Sequence, residues 1–330
     1  MRKGVFGRTG LEISEIALGG GVTGGILINA SEATRWAALQ RAVAGGVNWI
    51  DTAPAYGNGA SEETIGRHLS VLSPRPHVST KVRLEREDMA DIAGAIRRSL
   101  EQSLKRLRLE RVALLQLHNQ IGTAVGERTP LSTGQVLGAV AETFEKLKEE
   151  KLIQAAGISA VGSTAACLEV IESGRFDAAQ IYYNAINPSA AWSRTSPKWK
   201  GQDFCGLIAA CWRLNMGMLA IRVWAGGVLA APRRPERLDM MTAVTDLDNE
   251  VRCAAAVRAA LGPSFGTPAQ VALRFTLGNR DLSSRVIGVT EIAQLDEALA
   301  AVERGPLPPD AIARFDHLWA NDFFVAGASG

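Results

Sequence analysis

The chain alternates apolar runs of strand length with amphipathic segments of helix length almost from end to end. Strand-like runs fall at residues 13–18, 47–51, 77–81, 111–118, 152–158, 178–182, 218–223 and 285–288. Between them lie helix-like segments at 32–44, 62–69, 89–107, 163–172 and 207–214. Further helical stripes are Val136, Val140, Phe144 and Leu147, then Ile292, Leu295, Leu299 and Val302. Thr267-Pro268-Ala269-Gln270 predicts a helix start, with Thr as N-cap, Pro at the first position and Gln closing a capping box. Eight strand–helix units in series, with no repeated Gly-rich dinucleotide turn, predict a (β/α)8 TIM barrel rather than an open doubly wound sheet. No Pro/Gly/Ser-rich linker divides the chain, so residues 1–330 read as a single domain. Two segments break the alternation. Residues 187–203 carry Trp192 and Trp199, and residues 225–247 carry Gly226-Gly227 and the basic cluster Arg233, Arg234 and Arg237. Both follow strands, which puts them at the end of a barrel where sites are built.

Composition removes several classes of function. A net charge of +2 is too weak to point to nucleic acid or an anionic membrane. No apolar run approaches the ~20 residues of a membrane span. Met1-Arg2-Lys3 has no apolar signal core behind it. Cys167, Cys205, Cys211 and Cys253 are scattered, without metal-ligand spacing. The expectation is a cytoplasmic protein with reduced thiols, no metal, and a small molecule as its partner.

Polar residues end almost every strand at its carboxyl side: Asp51, Lys81, His118, Ser159, Gln180 and Arg222, with Gly288 ending the last. Any one of them reads equally well as a cap or a solvated strand end. A barrel, however, gathers all of these ends around one mouth. Tyr56 follows Asp51 across the turn Thr52-Ala53-Pro54-Ala55. A lysine ammonium beside a phenol favours the phenolate, and a carboxylate would hold that lysine charged. An imidazole at the same point can donate to a carbonyl oxygen as negative charge forms there. The set holds a proton donor but no source of electrons, so reduction would need a nicotinamide cofactor.

Several segments together resemble the aldo-keto reductase family. They are Gly46-Val47-Asn48-Trp49-Ile50-Asp51-Thr52-Ala53-Pro54-Ala55-Tyr56-Gly57, Ser61-Glu62-Glu63-Thr64-Ile65-Gly66, Ser79-Thr80-Lys81-Val82 and Leu114-Leu115-Gln116-Leu117-His118. The N-terminal Gly7-Arg8-Thr9-Gly10-Leu11-Glu12-Ile13-Ser14 and the late 267–275 segment fit as well, so the resemblance spans nearly the whole chain. It implies a catalytic tetrad of Asp51, Tyr56, Lys81 and His118, with Tyr56 as proton donor. It also implies hydride passing between nicotinamide and the carbonyl carbon of a small aldehyde, ketone or sugar. The N-terminal motifs and the Asn187-Pro188-Ser189-Ala190 loop resemble the bacterial branch that includes aldose 1-dehydrogenases and pyridoxal-type reductases.

Cofactor positions carry over one at a time. Gln180 and Ser159 match the family's carboxamide-binding residues, but Ala160 replaces the usual asparagine. Ile221 stands where an aromatic often stacks on the nicotinamide, and Arg222 where a serine is usual. Arg222 reads either as a pyrophosphate ligand, with Gly226 allowing close approach, or as part of a structural salt bridge. In the segment 286–298, Gly288, Thr290, Gln294 and Glu297 match the family's adenosine-phosphate site. Glu291 falls where members that grip a 2′-phosphate often carry Lys or Arg. It reads either as a repellent of that phosphate or as a first-turn acid behind a Thr290 cap. NADP is the family's habit, and NAD stays open because of Glu291. Two rival functions also stay open: a nicotinamide-binding regulatory subunit with little catalysis, and an aldolase forming a Schiff base at Lys81.

Overall fold

Eight parallel strands close into a barrel in the order β10-β3-β4-β5-β6-β7-β8-β9 in the computed structural model, which describes residues 1–123, 128–231 and 246–323. A two-stranded antiparallel sheet precedes the barrel, formed by β1 (Lys3–Val5) and β2 (Glu12–Ser14). The barrel strands are β3 (Ile16–Gly19), β4 (Trp49–Asp51), β5 (His77–Val82), β6 (Val112–Leu117), β7 (Ile153–Ser159), β8 (Ala178–Tyr182), β9 (Gly217–Ile221) and β10 (Ser284–Ile287). Seven of the eight expected strands are present, most with ends moved by one or two residues. Arg233, Arg234 and Arg237 lie outside the described residues.

The first apolar run differs from its expectation. Residues 13–18 are not one strand, because the chain breaks at Glu15 between β2 and β3. Ser14 turns its hydroxyl onto the Ile16 carbonyl at 2.7 Å, and its amide donates to Asn48 Oδ1 at 2.8 Å. These local bonds take the place of ladder pairing, so β2 pairs back on β1 and only β3 enters the barrel. The hairpin closes the amino-terminal end of the barrel. Phe6 and Ile13 are fully buried there with Trp49, Leu114 and Leu219. A Cβ on Gly217 would meet the Phe6 ring at 2.5 Å, so the ring rests directly on the strand backbone.

The helical stripes face the barrel as their spacing requires. Ile96, Leu100, Leu104 and Leu107 are all buried along Ile92–Leu107. That helix starts later than expected, because Asp91 caps it by accepting from the Gly94 amide at 2.9 Å. The stripe Val136 to Leu147 is split between a π-turn at Val136–Val140 and the helix Ala141–Glu149. The capping box at Thr267 forms as predicted, with Pro268 at its first turn. Helices Leu247–Leu261 and Pro309–Ala320 lie outside the eight expected units. Among the described residues no helix is long and apolar enough to cross a membrane. All four cysteines are free thiols.

Candidate active site

Strand register fixes the centre of the site before any side chain is considered. Asp51 pairs with Ser79, Lys81 with Gln116, and Ser159 with Gln180. These strand ends therefore share one layer at the carboxyl mouth of the barrel.

Asp51 is the hub of that layer. Its Oδ2 accepts from Lys81 Nζ at 2.6 Å. Its Oδ1 accepts from Ser79 Oγ at 2.7 Å, Gln180 Nε2 at 3.0 Å and Gln116 Nε2 at 3.1 Å. Trp49 Nε1 in turn donates to Ser79 Oγ at 2.9 Å, which fixes the serine. Lys81 also donates to the Thr52 carbonyl at 2.9 Å. Burial pulls the Lys81 ammonium down, while Asp51 and then Tyr56 pull it up, and the net shift is upward. A buried lysine held in this way stays charged.

Tyr56 stands beside this pair. Lys81 Nζ lies 4.8 Å from the centre of the tyrosine ring. The loop carrying Tyr56 is pinned at both ends: Thr52 Oγ1 donates to Ser61 Oγ at 2.8 Å, and the Ser61 amide donates to the Tyr56 carbonyl at 3.3 Å. The following helix, Ala60–His68, is bolted down by buried Glu62, which accepts from Thr80 Oγ1 at 2.6 Å and Arg106 Nε at 2.7 Å. Gly66 lets it approach, since a Cβ there would strike the Arg106 carbonyl oxygen at 2.1 Å. The Ser61–Gly66 motif therefore serves the placement of Tyr56 rather than chemistry.

His118 meets the Tyr56 ring edge-on, with ring centres 5.8 Å apart. Burial, then the positive charges of Lys81, Arg83 and Arg128, hold the imidazole well below its ordinary value of 6.5. It is neutral at physiological pH and keeps one N–H to donate.

These side chains open into a cavity of about 770 Å³. Ser159, Gln180, Arg222, Gly226, Gly288, Thr290, Glu291, Gln294 and Glu297 all line it, together with Asp51, Tyr56 and His118. Ser159 Oγ is buried without a hydrogen-bond partner among the described residues, and its hydroxyl is open to a ligand. Gln180 has already given a donor to Asp51, so it ties the tetrad to the cavity wall. Ala160 is fully buried, and Ile221 presents an aliphatic face to the cavity. Arg222 adopts a left-handed backbone (φ 62°) that only a strongly constrained non-glycine residue holds. Its charge acts on buried Tyr182 and Glu250, and it lines the cavity as well, so both readings of this residue have a physical basis.

At the far end, Thr290 is not the helix cap. Glu291 itself occupies the N-cap position of Ile292–Arg304 and makes no capping bond. Gln294 Oε1 instead accepts from the Thr290 amide at 2.9 Å and from its hydroxyl at 3.1 Å, and Gln294 Nε2 donates to Glu291 Oε1 at 3.3 Å. Glu291 is exposed at the cavity rim, while Glu297 accepts from Thr267 Oγ1.

Sequence reasoning did not single out Gln116, Ser79, Trp224 or the glycines 19–24. Gly19, Gly21 and Gly24 line the cavity. A Cβ on Gly24 would meet the Gly288 carbonyl carbon at 2.4 Å, so the loops after β3 and β10 pass in backbone contact. The available signal was Gly19-Gly20-Gly21 directly after an apolar strand. Trp192 and Trp199 pack on each other at 5.2 Å and do not line the cavity, whereas Trp224 does. His68 bonds Glu32 at 2.8 Å and His77 packs on Trp49, both away from the site.

The aldo/keto reductase family profile matches residues 15–320. The chain belongs to the aldo/keto reductase family. As a member it is an oxidoreductase, of a family whose members act on aldehydes and sugars. It is 26% identical over 304 residues to L-galactose dehydrogenase of Arabidopsis thaliana, covering 90% of this chain and 86% of that protein. It is 28% identical over 321 residues to D-threo-aldose 1-dehydrogenase of a Pseudomonas species, covering 87% of this chain and 89% of that protein. In fold it matches the holo form of the aldo-keto reductase AKR11C1 from Bacillus halodurans, with a TM-score of 0.73, 20% identity and 99% of each chain covered.

Proposed function

We propose that this aldo/keto reductase interconverts the carbonyl and alcohol forms of a small aldehyde, ketone or sugar at the mouth of the barrel, with Tyr56 moving the proton. The observation that carries this reading is the convergence of Tyr56 and neutral His118 on a cavity of about 770 Å³, with charged Lys81 buried behind Tyr56. A nicotinamide dinucleotide, when bound, supplies or accepts the hydride.

The chain's own residues do the rest. Tyr56 gives its proton to the carbonyl oxygen as charge builds there, and the Lys81 ammonium stabilises the phenolate left behind. Asp51 keeps Lys81 charged and in place through its 2.6 Å bond. Neutral His118 donates a hydrogen bond that orients the carbonyl. Two features support a dinucleotide in the cavity: the unpartnered Ser159 hydroxyl suits a carboxamide, and Gly21, Gly226 and Gly227 line the wall without side chains. Arg222 supports a pyrophosphate, and Thr290, Gln294 and Glu297 support an adenosine moiety. Resemblance to the family favours NADP, while the exposed carboxylate of Glu291 favours NAD by repelling a 2′-phosphate.

A Schiff base at Lys81 needs a neutral amine, and a buried carboxylate at 2.6 Å works against one. The buried ion pair beneath Tyr56 and the neutral imidazole of His118 weigh against a purely regulatory role. The names of two relatives, an L-galactose and a D-threo-aldose dehydrogenase, support a sugar-like substrate.

Two measurements test the reading. Tyr56→Phe should bind NADH and NADPH as the wild type does yet lose roughly 10²–10⁴-fold in carbonyl reduction. A Phe variant with full turnover would remove Tyr56 from the chemistry. Fluorescence titration of both dinucleotides on wild type and Glu291→Lys should show a swing towards NADPH in the variant. An equal effect on the two would return Glu291 to a surface role.

A further inference from the structure

Two guanidinium groups line the cavity beside His118, and neither belongs to the tetrad or to the cofactor positions. Arg83 follows β5 and Arg128 follows the β6 loop, and both charges are close enough to depress the His118 imidazole. In the closed barrel β5 and β6 stand diametrically opposite β9 and β10. The proposed cofactor residues Arg222, Gly288, Thr290 and Glu291 follow β9 and β10, so a dinucleotide held there does not explain the opposite pair.

The pair is built into the fold. Asn119, only 3% exposed, accepts from the Leu84 amide at 2.8 Å and donates to the Leu84 carbonyl at 2.7 Å. The same amide nitrogen donates to the Thr129 carbonyl at 3.0 Å. One buried side chain thus ties down the neighbours of both arginines and fixes their two loops relative to each other. Among the described residues the Arg83 guanidinium has neither a carboxylate partner nor a hydrogen bond, whereas Arg128 has a contact of its own. Of the carboxylates that line the cavity, Asp51 is closed by Lys81, and Glu291 and Glu297 lie on the β10 side. Separating like from unlike charge across one cavity favours an anion at the Arg83 end.

We infer that Arg83 and Arg128 form an anion-recognising subsite, so that the preferred substrate is a carbonyl compound carrying a carboxylate or a phosphate ester. This rests on the proposed carbonyl chemistry and names its substrate class. The planar guanidinium suits either oxyanion, and a bidentate bond there would orient the carbonyl towards Tyr56 and His118.

The test compares matched substrates with the dinucleotide saturating: succinic semialdehyde against butanal for the carboxylate, and D-glyceraldehyde 3-phosphate against D-glyceraldehyde for the phosphate. The wild type should prefer at least one anionic member by roughly 10- to 100-fold in kcat/KM. Arg83→Gln should erase most of that preference through KM, and its effect on the neutral member should be clearly smaller. Arg83→Lys should keep part of it, and added salt should raise KM for the anionic member only. Equal kcat/KM within both pairs, or an equal loss on all four substrates in Arg83→Gln, overturns the subsite and leaves the carbonyl chemistry standing. No turnover of any of the four by the wild type overturns the functional reading and the subsite with it. Which pair shows the preference separates carboxylate from phosphate.

Discussion

Lys81 Nζ and Asp51 Oδ2 lie 2.6 Å apart with side chains 0% and 4% exposed, so each is the other's principal counter-charge at the buried floor of the cavity. Removing either partner alone strands a buried charge, at a cost of about 3–5 kcal/mol. Asp51→Asn and Lys81→Met should each show that loss in chemical denaturation. The double variant should lose clearly less than the sum. Additive losses would mean the pair is not coupled.

Ser79 is the relay between the barrel core and Asp51. Ser79→Ala removes the bond to Asp51 and leaves the buried Trp49 Nε1 without its acceptor. The expected penalty is about 1–3 kcal/mol in stability. Activity should fall in kcat with little change in KM, because the residue acts through Asp51 and touches no substrate. A change in KM alone would argue against that role.

Glu250 is a buried carboxyl that the proposed chemistry does not use. Burial pushes it up to about 7 from an ordinary 4.5, against the pull of Arg222 and Tyr182. A raised value means that the folded state keeps a proton which the unfolded state releases. The stabilisation is therefore full below pH 4.5 and is lost as pH rises through 7. The loss by pH 8 is about 3 kcal/mol. Glu250→Gln cannot release that proton, so its stability relative to wild type should improve between pH 4.5 and pH 8. Denaturation of the dinucleotide-free protein at both ends of that range checks this, and a difference independent of pH would refute it.

Gly24→Ala should push apart the loops after β3 and β10, because the new Cβ would sit 2.4 Å from the Gly288 carbonyl carbon. Dinucleotide affinity should weaken by roughly tenfold, the equivalent of about 1.4 kcal/mol. The kcat at saturation should change little, since Asp51, Lys81 and Tyr56 are anchored from β4 and β5. Unchanged affinity in a fluorescence titration would place the dinucleotide elsewhere.

The barrel was legible from the alternation of periods, and the meeting of Asp51, Lys81, His118 and Gln180 at one mouth from their places at strand ends. Less legible was whatever depends on contact between distant segments. The strand expected at 13–18 failed because one Ser14 hydroxyl and one Asn48 side chain redirect the backbone, which hydrophobicity does not register. Gln116 reads from sequence as one polar residue inside an apolar strand, and only register with Lys81 shows it facing Asp51. Thr290 looked like a cap because Thr precedes many helices, yet Gln294 folds back onto it and moves the cap position to Glu291. Arg83 and Arg128 lie far apart in sequence and share a cavity through Asn119, a link that no local pattern carries.

Phe6 and Ile13 fill the base of the barrel with Trp49, Leu114 and Leu219, all fully buried. A molecule that reaches Asp51 and Tyr56 therefore comes from the carboxyl side, among the loops that carry Tyr56, His118 and Arg222. The hairpin never approaches those side chains, yet by filling the base it leaves the loops at the other end to decide what meets them.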